Sequence, residues 1–227
     1  MLELWLSADK TIGILLQGKI SEWTKDIVTE YEKNFPNLEI LVSTWEGETT
    51  DNLTCKVIKS KPPLMIKNDA STVNFQIVGC QEGLKNLKTD IILKSRTDQF
   101  IHNSEIFELF KNSCHHEKIM VTDVGTYRNI DHRASDLCQI GFRKILLNYW
   151  NNIPMYDGFP REEPGEYLTK YYVLKIKNDN DPWELTLRKY FCVKSFHDDF
   201  QIEFEKLNNS DIYKNMFDVA IENCAKP

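Results

Sequence analysis

The sequence has no cysteine pair at the spacing of a zinc site or of a disulfide framework. Its six cysteines are widely scattered, and none of them forms a Cys-x-x-Cys motif. Disulfides belong to oxidising compartments, so a chain without a disulfide pattern points to a reducing one. We therefore expect a cytoplasmic protein without structural zinc.

Long apolar runs and a surplus of positive charge are also missing. No segment approaches the ~20 apolar residues that a membrane-spanning helix needs, so we expect a soluble chain without an integral membrane segment. The 28 Lys and Arg residues stand against 34 Asp and Glu, a formal net charge of -6. A general binder of nucleic-acid backbones needs surplus cations, and we therefore expect no nucleic acid partner. One local basic pocket is compatible with this charge.

What the sequence does contain is enough apolar material for one large core. Its 227 residues are 41% hydrophobic and 27% charged, as in ordinary globular proteins. No internal repeat, low-complexity tract or linker-like stretch divides the chain. Residues 1–227 are therefore predicted to form a single domain.

Strand and helix patterns alternate along the first half of the chain. Buried-strand patterns lie at residues 11–16, 38–43, 90–93 and 118–122, and amphipathic helix patterns lie at residues 21–35 and 73–87. Strand, helix and strand with short joints form a βαβ unit. The alternation predicts an α/β fold with a mostly parallel central sheet that is flanked by helices.

The remaining predicted elements are less regular. A short strand is predicted at residues 64–66 and another at residues 190–193. Helices are predicted at residues 137–150, at residues 166–172, after an N-cap at Asp181, and at residues 210–223.

The strands of the first half end in polar side chains. These are Gln17 and Gly18 after the first strand, Ser43, Thr44 and Glu46 at the end of the second, and Arg96 and Asp98 after the third. Parallel strands bring their carboxyl ends to one edge of the sheet, where ligands bind. By themselves these residues also allow a simpler interpretation, in which Arg96 and Asp98 form a surface salt bridge.

Several segments carry a resemblance to a known family. They read Leu-Gln-Gly-Lys-Ile at 16–20, Leu-Val-Ser-Thr-Trp-Glu-Gly at 41–47, Val-Asn-Phe-Gln-Ile-Val at 73–78, Leu-Lys-Ser-Arg-Thr-Asp at 93–98, Ala-Ser-Asp at 134–136 with Gly141, and Pro-Gly-Glu-Tyr-Leu at 164–168. Together they resemble the WavE family of lipopolysaccharide-synthesis glycosyltransferases. The resemblance implies a GT-A fold and transfer of a sugar from a nucleotide-diphosphate-sugar donor to a glycan acceptor, in surface polysaccharide synthesis.

The resemblance also implies roles for the first two polar strand ends. Gln17 and Gly18 are expected to line the base and ribose of the donor, while Ser43, Thr44 and Glu46 border the base. Residues 1–123 become the nucleotide-sugar-binding half and residues 124–227 the acceptor-side half.

Two interpretations of the phosphate site follow from the resemblance. Asp98 stands where GT-A enzymes carry the last acid of an Asp-x-Asp metal motif, but Arg96 replaces the first acid. Asp98 is expected to ligate Mn²⁺ or Mg²⁺, with His197 as a downstream ligand. Alternatively, Arg96 contacts a phosphate directly and reduces the dependence on metal. His197 has its own simpler interpretation as a solvated surface group.

An inverting transfer needs a carboxylate that takes the proton of the acceptor hydroxyl. Asp136 is the first candidate and Glu166 the second, because both lie in family-like segments. Structural roles are the alternatives: Asp136 as the cap of a helix that begins near Leu137, and Glu166 as a favourable charge in a first helical turn.

Other functions stay open at this point. The missing first acid also fits a catalytically inactive nucleotide-sugar-binding module or a partner subunit. Under either function, membrane-associated or multi-domain glycan-assembly proteins are possible partners. A nucleotidyltransferase would need a glycine- and lysine-rich phosphate loop, and Gln17-Gly18-Lys19 offers little of that.

Overall fold

The computed structural model describes residues 10–66 and 71–208. Its main-sheet strands are β1 (Ile12–Gln17), β2 (Glu39–Trp45), β3 (Lys56–Ser60), β4 (Ile91–Arg96), β6 (Ile119–Thr122), β7 (Gln139–Phe142) and β8 (Phe191–Lys194). They form a seven-stranded sheet in the order β3-β2-β1-β4-β7-β6-β8. Only β7 runs antiparallel to its neighbours among these strands, which confirms the predicted, mostly parallel sheet.

A second, two-stranded sheet and the helices complete the described fold. Strands β5 (Gln99–Ile101) and β9 (Ile202–Phe204) pair antiparallel. The helices are α1 (Thr24–Asn34), α2 (Val73–Asn86), α3 (Ile106–Ser113), α4 (Arg143–Asn151), α5 (Pro164–Tyr171), α6 (Trp183–Tyr190) and α7 (Glu205–Asn208), and α5 continues into a π-helical turn, Tyr172–Ile176. Within the described residues, every helix is too short or too polar to cross a bilayer.

The main sheet buries an apolar core on each of its faces. Ile14 and Leu16 contact one core, which α1 and α3 cover, and Leu15 contacts the other, which α2, α4, α5 and α6 cover. Successive side chains of a strand point to opposite faces. A continuous apolar run such as that of β1 therefore serves both cores, as expected for a parallel strand covered on both sides.

The order of the strands reverses at the carboxyl end of β1, where sheets of this kind form a crevice. Strands β2 and β3 extend the sheet on one side of β1, and the chain then adds β4 on the other side. The register aligns Gln17 with Ser43 of β2 and with Arg96 of β4. Ligands of such sheets bind where the strand order reverses, which places the expected site between β1 and β4.

The helix predicted at residues 137–150 is wrong in its first part. Gln139–Phe142 forms β7, and α4 begins only at Arg143. Apolar periodicity alone cannot separate a short buried strand from a buried helical turn. Pairing decides the conformation here, because Ile140 lies opposite Leu93 of β4 and opposite Met120 of β6.

Three smaller predictions also need correction or lie outside the description. Residues 64–66 form no strand; the edge strand is Lys56–Ser60, whose half-exposed, lysine-containing sequence hid the signal. Helix α6 exists, but Pro182 occupies the N-cap, so Asp181 is not the cap. The helix predicted at residues 210–223 lies outside the described residues.

We expect Gly83→Val to lower the free energy of unfolding by about 1–3 kcal/mol through overpacking. A Cβ at Gly83 would lie 2.3 Å from Cδ1 of Leu15, so α2 could not approach β1 as closely. Denaturant titration followed by circular dichroism measures the loss. Lys85→Val, on the exposed side of the same helix, introduces the same side chain without the clash. Equal losses in both variants would contradict the close packing.

Candidate active site

Thr97 joins the loop after β4 to the loop after β1. Its hydroxyl donates to the carbonyl of Lys19, and its own carbonyl accepts a hydrogen bond from Thr24 Oγ1 at 2.9 Å. Gly18 has φ +144°, and a Cβ there would lie 2.7 Å from the Thr97 hydroxyl. Gly18 is thus required for the close approach of the two loops, independently of its predicted role beside the donor base.

The side chains of Gln17 and Ser43 are buried against α2. Gln17 Nε2 donates to the Phe75 carbonyl at 3.3 Å, and Ser43 Oγ donates to the Gly79 carbonyl at 2.7 Å. A Cβ at Gly79 would lie 2.6 Å from Cγ of Gln17. Both polar groups therefore anchor the strand ends to the helix, and their predicted contacts with the donor base stay a prediction.

Thr44 and Glu46 differ in their exposure. The Thr44 hydroxyl is buried and has no hydrogen-bond partner among the residues that the structure describes. Glu46 is exposed, and its backbone N–H donates to the Ser60 carbonyl at 2.9 Å. Of the two, only the carboxylate of Glu46 is open to a ligand in solution, and the predicted role of both at the base stays a prediction.

Arg96 and Asp98 form a two-point salt bridge at the crevice. Nε and Nη2 of Arg96 donate to Oδ1 and Oδ2 of Asp98, each at 2.8 Å. The side chains are only 22% and 14% exposed, so the pair is not the solvated surface contact of the simpler interpretation. Paired charge-assisted hydrogen bonds of this geometry are strong and fix the orientation of both groups.

Asp136 lies at the same edge because β7, which it precedes, runs antiparallel to β4. Its carboxylate Oδ2 accepts a hydrogen bond from Gln76 Nε2 at 2.6 Å, and its carbonyl accepts one from Lys94 Nζ at 2.6 Å. No helix begins near Leu137, so the alternative role of Asp136 as a helix cap is wrong. The structure instead holds Asp136 from α2 and from β4.

Lys94 and Gln76 are site residues that the sequence reasoning missed. The side chain of Lys94 is fully buried, and its ammonium lies 5.2 Å from the centre of the Trp150 ring. A lysine inside an otherwise apolar strand was the available signal, since a buried ammonium requires hydrogen-bonding partners. Gln76 carried no comparable signal.

Lys206 is a third missed residue. Burial lowers the pKa of Lys206, and the positive charge of Arg96 lowers it further. The carboxylates of Asp98, Asp136 and Glu205 act on this pKa in the opposite direction. Nζ of Lys206 lies 5.9 Å from the centre of the Phe204 ring, which the guanidinium of Arg96 also contacts, so Lys206 stands beside Arg96 although it follows the last described strand.

Glu166 and His197 occupy different surroundings. Glu166 lies in the first turn of α5. The hydrogen bond to Glu162 raises the pKa of Lys170, and the charge of Glu166 adds to this effect. Burial lowers the pKa of His132, and the charge of Glu166 opposes that shift. This position agrees with the structural alternative for Glu166. His197 is exposed and packs edge-on against Phe196, with ring centres 5.2 Å apart. The predicted roles of both as acid–base or metal groups stay predictions.

The observed arrangement around Asp98 is unfavourable for a divalent cation. Both carboxylate oxygens of Asp98 already accept hydrogen bonds from Arg96, whose charge opposes a cation at the same oxygens. In residues 10–66 and 71–208, the only three potential metal ligands within 4.8 Å of one another are His115, His116 and Glu117. They precede β6, at the opposite edge of the sheet. The Mn²⁺ or Mg²⁺ site at Asp98 and His197 stays a prediction.

Comparison with known sequences identifies one family. The family model described as WavE lipopolysaccharide synthesis matches residues 16–189. No curated protein sequence matches the chain. The matched range runs from the end of β1 into α6 and contains every predicted site residue except His197.

Solved structures give the fold. The 4-diphosphocytidyl-2C-methyl-D-erythritol synthase of Anaerococcus prevotii has a TM-score of 0.50 and 10% identity, over 94% of this chain and 99% of that one. The TarS 1-349 fragment from S. aureus has a TM-score of 0.49 and 16% identity, over 94% of this chain and 66% of that one. A glycosyltransferase involved in glycosylation of the PBCV-1 major capsid has a TM-score of 0.44 and 13% identity, over 82% of each chain. The fold is GT-A-like, as predicted.

We expect Lys94→Met to destabilise the protein by about 1–3 kcal/mol, because the partly buried Asp136 carbonyl loses a charge-assisted donor. Methionine keeps the length of the side chain against Trp150, so packing changes little. The midpoint of urea unfolding measures the effect. Lys88→Met, at an exposed position, removes the same charge and should leave the midpoint nearly unchanged. A Lys94→Met midpoint equal to that of the control would exclude a net contribution from the ammonium.

Proposed function

Because this chain belongs to the WavE lipopolysaccharide synthesis family, we propose that it is a glycosyltransferase that moves a sugar from a nucleotide-diphosphate-sugar donor to a glycan acceptor. One observation carries the proposal: charged side chains from separate segments meet at the crevice between β1 and β4, where α/β sheets bind ligands. The acceptor is a surface glycan in this proposal.

The donor occupies the crevice along the carboxyl end of β1. Its base lies toward β2, near Gln17, Gly18, Ser43, Thr44 and Glu46, and its diphosphate lies toward β4. This orientation is supported by charge, because the cationic Arg96 stands at the end of β4 while the strand ends toward β2 offer neutral groups and one carboxylate. A divalent metal is not a part of this step, since the described surroundings of Asp98 do not favour one.

Asp136 acts as the base in an inverting transfer. Gln76 fixes one of its carboxylate oxygens, and Lys94 fixes its backbone, so the carboxylate has a defined position at the crevice. A positioned carboxylate can take the proton of an acceptor hydroxyl while that oxygen attacks the anomeric carbon. The bond between that carbon and the diphosphate breaks on the opposite face, and the nucleoside diphosphate leaves. Glu166 is the second candidate, although its described neighbours are Lys170 and His132.

The second candidate function is an inactive nucleotide-sugar-binding module or partner subunit. Arg96 stands in place of an acid and engages both oxygens of Asp98, which favours binding over metal-assisted chemistry. A panel of nucleotide sugars separates the two, with release of nucleoside diphosphate as the readout. Donor turnover that Asp98→Ala abolishes supports the enzyme. Tight donor binding without turnover, across all acceptors offered, would favour the module.

We expect Asp136→Asn to reduce sugar transfer by about 10²–10⁴-fold while donor affinity stays unchanged. Asparagine keeps an acceptor oxygen for Gln76 but cannot take a proton at neutral pH, so the geometry is preserved and the base is lost. Donor binding is measured by calorimetry and transfer by product formation. Asp26→Asn, at an exposed position of α1, is the matched control and should transfer normally. Full activity in Asp136→Asn would remove Asp136 from the chemistry.

A further inference from the structure

The segment after β8 returns to the crevice and ends beside Asp98. Strand β9 pairs with β5 in the register of Gln99 with Phe204, and the backbone N–H of Glu205 donates to the Asp98 carbonyl at 3.1 Å. Two independent backbone contacts therefore fix the start of α7 at the loop that carries Asp98. Lys206 is brought to the crevice by this pairing. The segment lies beyond residues 16–189, the part of the chain that the family model matches.

The aromatic ring of Phe204 contacts two cationic side chains, Arg96 and Lys206. The guanidinium carbon of Arg96 lies 5.1 Å from the centre of the Phe204 ring, and Nζ of Lys206 lies 5.9 Å from it. The ring itself is only 8% exposed. Cations are attracted to an aromatic face at such distances. Phe204 thereby holds a guanidinium and an ammonium near each other at one end of the crevice.

Keeping these two cations close is unfavourable without negative charge between them. Lys206 shares the Phe204 ring with Arg96, so the two positive charges repel each other. Both oxygens of Asp98 already accept hydrogen bonds from Arg96. An anionic ligand between the guanidinium and the ammonium would attract both groups and stabilise the pair.

The nearby carboxylates do not form a cation site. Asp98, Asp136 and Glu205 are not a three-ligand group within 4.8 Å in the part of the chain that the structure describes. Oε2 of Glu205 is buried without a hydrogen-bond partner among those residues, which makes it the strongest competing metal ligand. A metal at Asp98 would nevertheless share its oxygens with a guanidinium.

We propose that Arg96 and Lys206, held on Phe204, bind the diphosphate of the donor directly and take the place of a divalent metal. The inference rests on the proposed function, because it assigns the diphosphate subsite of the same crevice. Arg96 supplies planar N–H donors that suit phosphate oxygens, and Lys206 supplies a compact positive charge. Asp98 is then a positioning residue that orients the guanidinium.

The test is calorimetric binding of UDP, GDP, CDP and dTDP to the full chain, in EDTA and in Mn²⁺. We expect at least one diphosphate to bind in EDTA, with an affinity that Mn²⁺ leaves within about threefold. Lys206→Met should raise the Kd of that diphosphate about ten- to a hundredfold, because one charge-assisted contact is lost. Lys206→Arg should restore most of the affinity. Lys25→Met, which removes an exposed charge from α1, should bind like the wild type.

The outcomes separate this inference from the proposed function. Diphosphate binding that requires Mn²⁺ overturns the inference and leaves the glycosyltransferase proposal standing. If Glu205→Gln then abolishes this Mn²⁺-dependent binding, the Glu205 carboxylate is assigned as a ligand of the metal. Binding in EDTA that Lys206→Met does not weaken also overturns the inference. If no diphosphate binds in either condition to a protein with a native circular dichroism spectrum, the proposed function itself fails.

Discussion

The parallel pairing of β1 with both β2 and β4 is the constraint on which the rest of the structure depends. It places Gln17, Ser43 and Arg96 in one row at the carboxyl edge. Glycines of α2 let the helix approach this row so closely that the first two side chains bond to it. Arg96, at the β4 side of the row, is directed instead toward Asp98 and Phe204. The edge thus divides into an anchored, neutral part and a charged part.

The charged part is stable because each charge is held by a specific partner. Lys94 is fully buried and donates to the Asp136 carbonyl. Gln76 donates to the Asp136 carboxylate, and Arg96 donates twice to Asp98. Charges removed from water are costly unless they are paired or hydrogen-bonded. The same pairing fixes their positions before a ligand arrives, and a fixed set of charges stabilises a reacting group without reorganisation.

The agreement between sequence and structure is greatest where an apolar sequence pattern fits only one type of secondary structure. The run at Ile91, Ile92 and Leu93 ends in polar residues, and β4 occupies it as predicted. The helices of the first half follow from apolar spacing in the same way. The run after Leu137 has two solutions, because Cys138, Ile140 and the residues beyond fit either a strand or a helix. The edge strand Lys56–Ser60 has only two consecutive apolar residues, Val57 and Ile58, so its existence follows from pairing with β2.

The sequence by itself determined the α/β class, the strand ends that form the crevice, and the family-like motifs that include Arg96, Asp98 and Asp136. Those features are local, since they depend on the period of apolar residues and on short segments. Only the tertiary structure decided which side chains meet there. Lys94 and Gln76 are 42 and 60 residues from Asp136 along the chain, and Lys206 arrives through pairing of β9 with β5. Such contacts depend on the direction and register of strands distant in sequence, which no local pattern encodes.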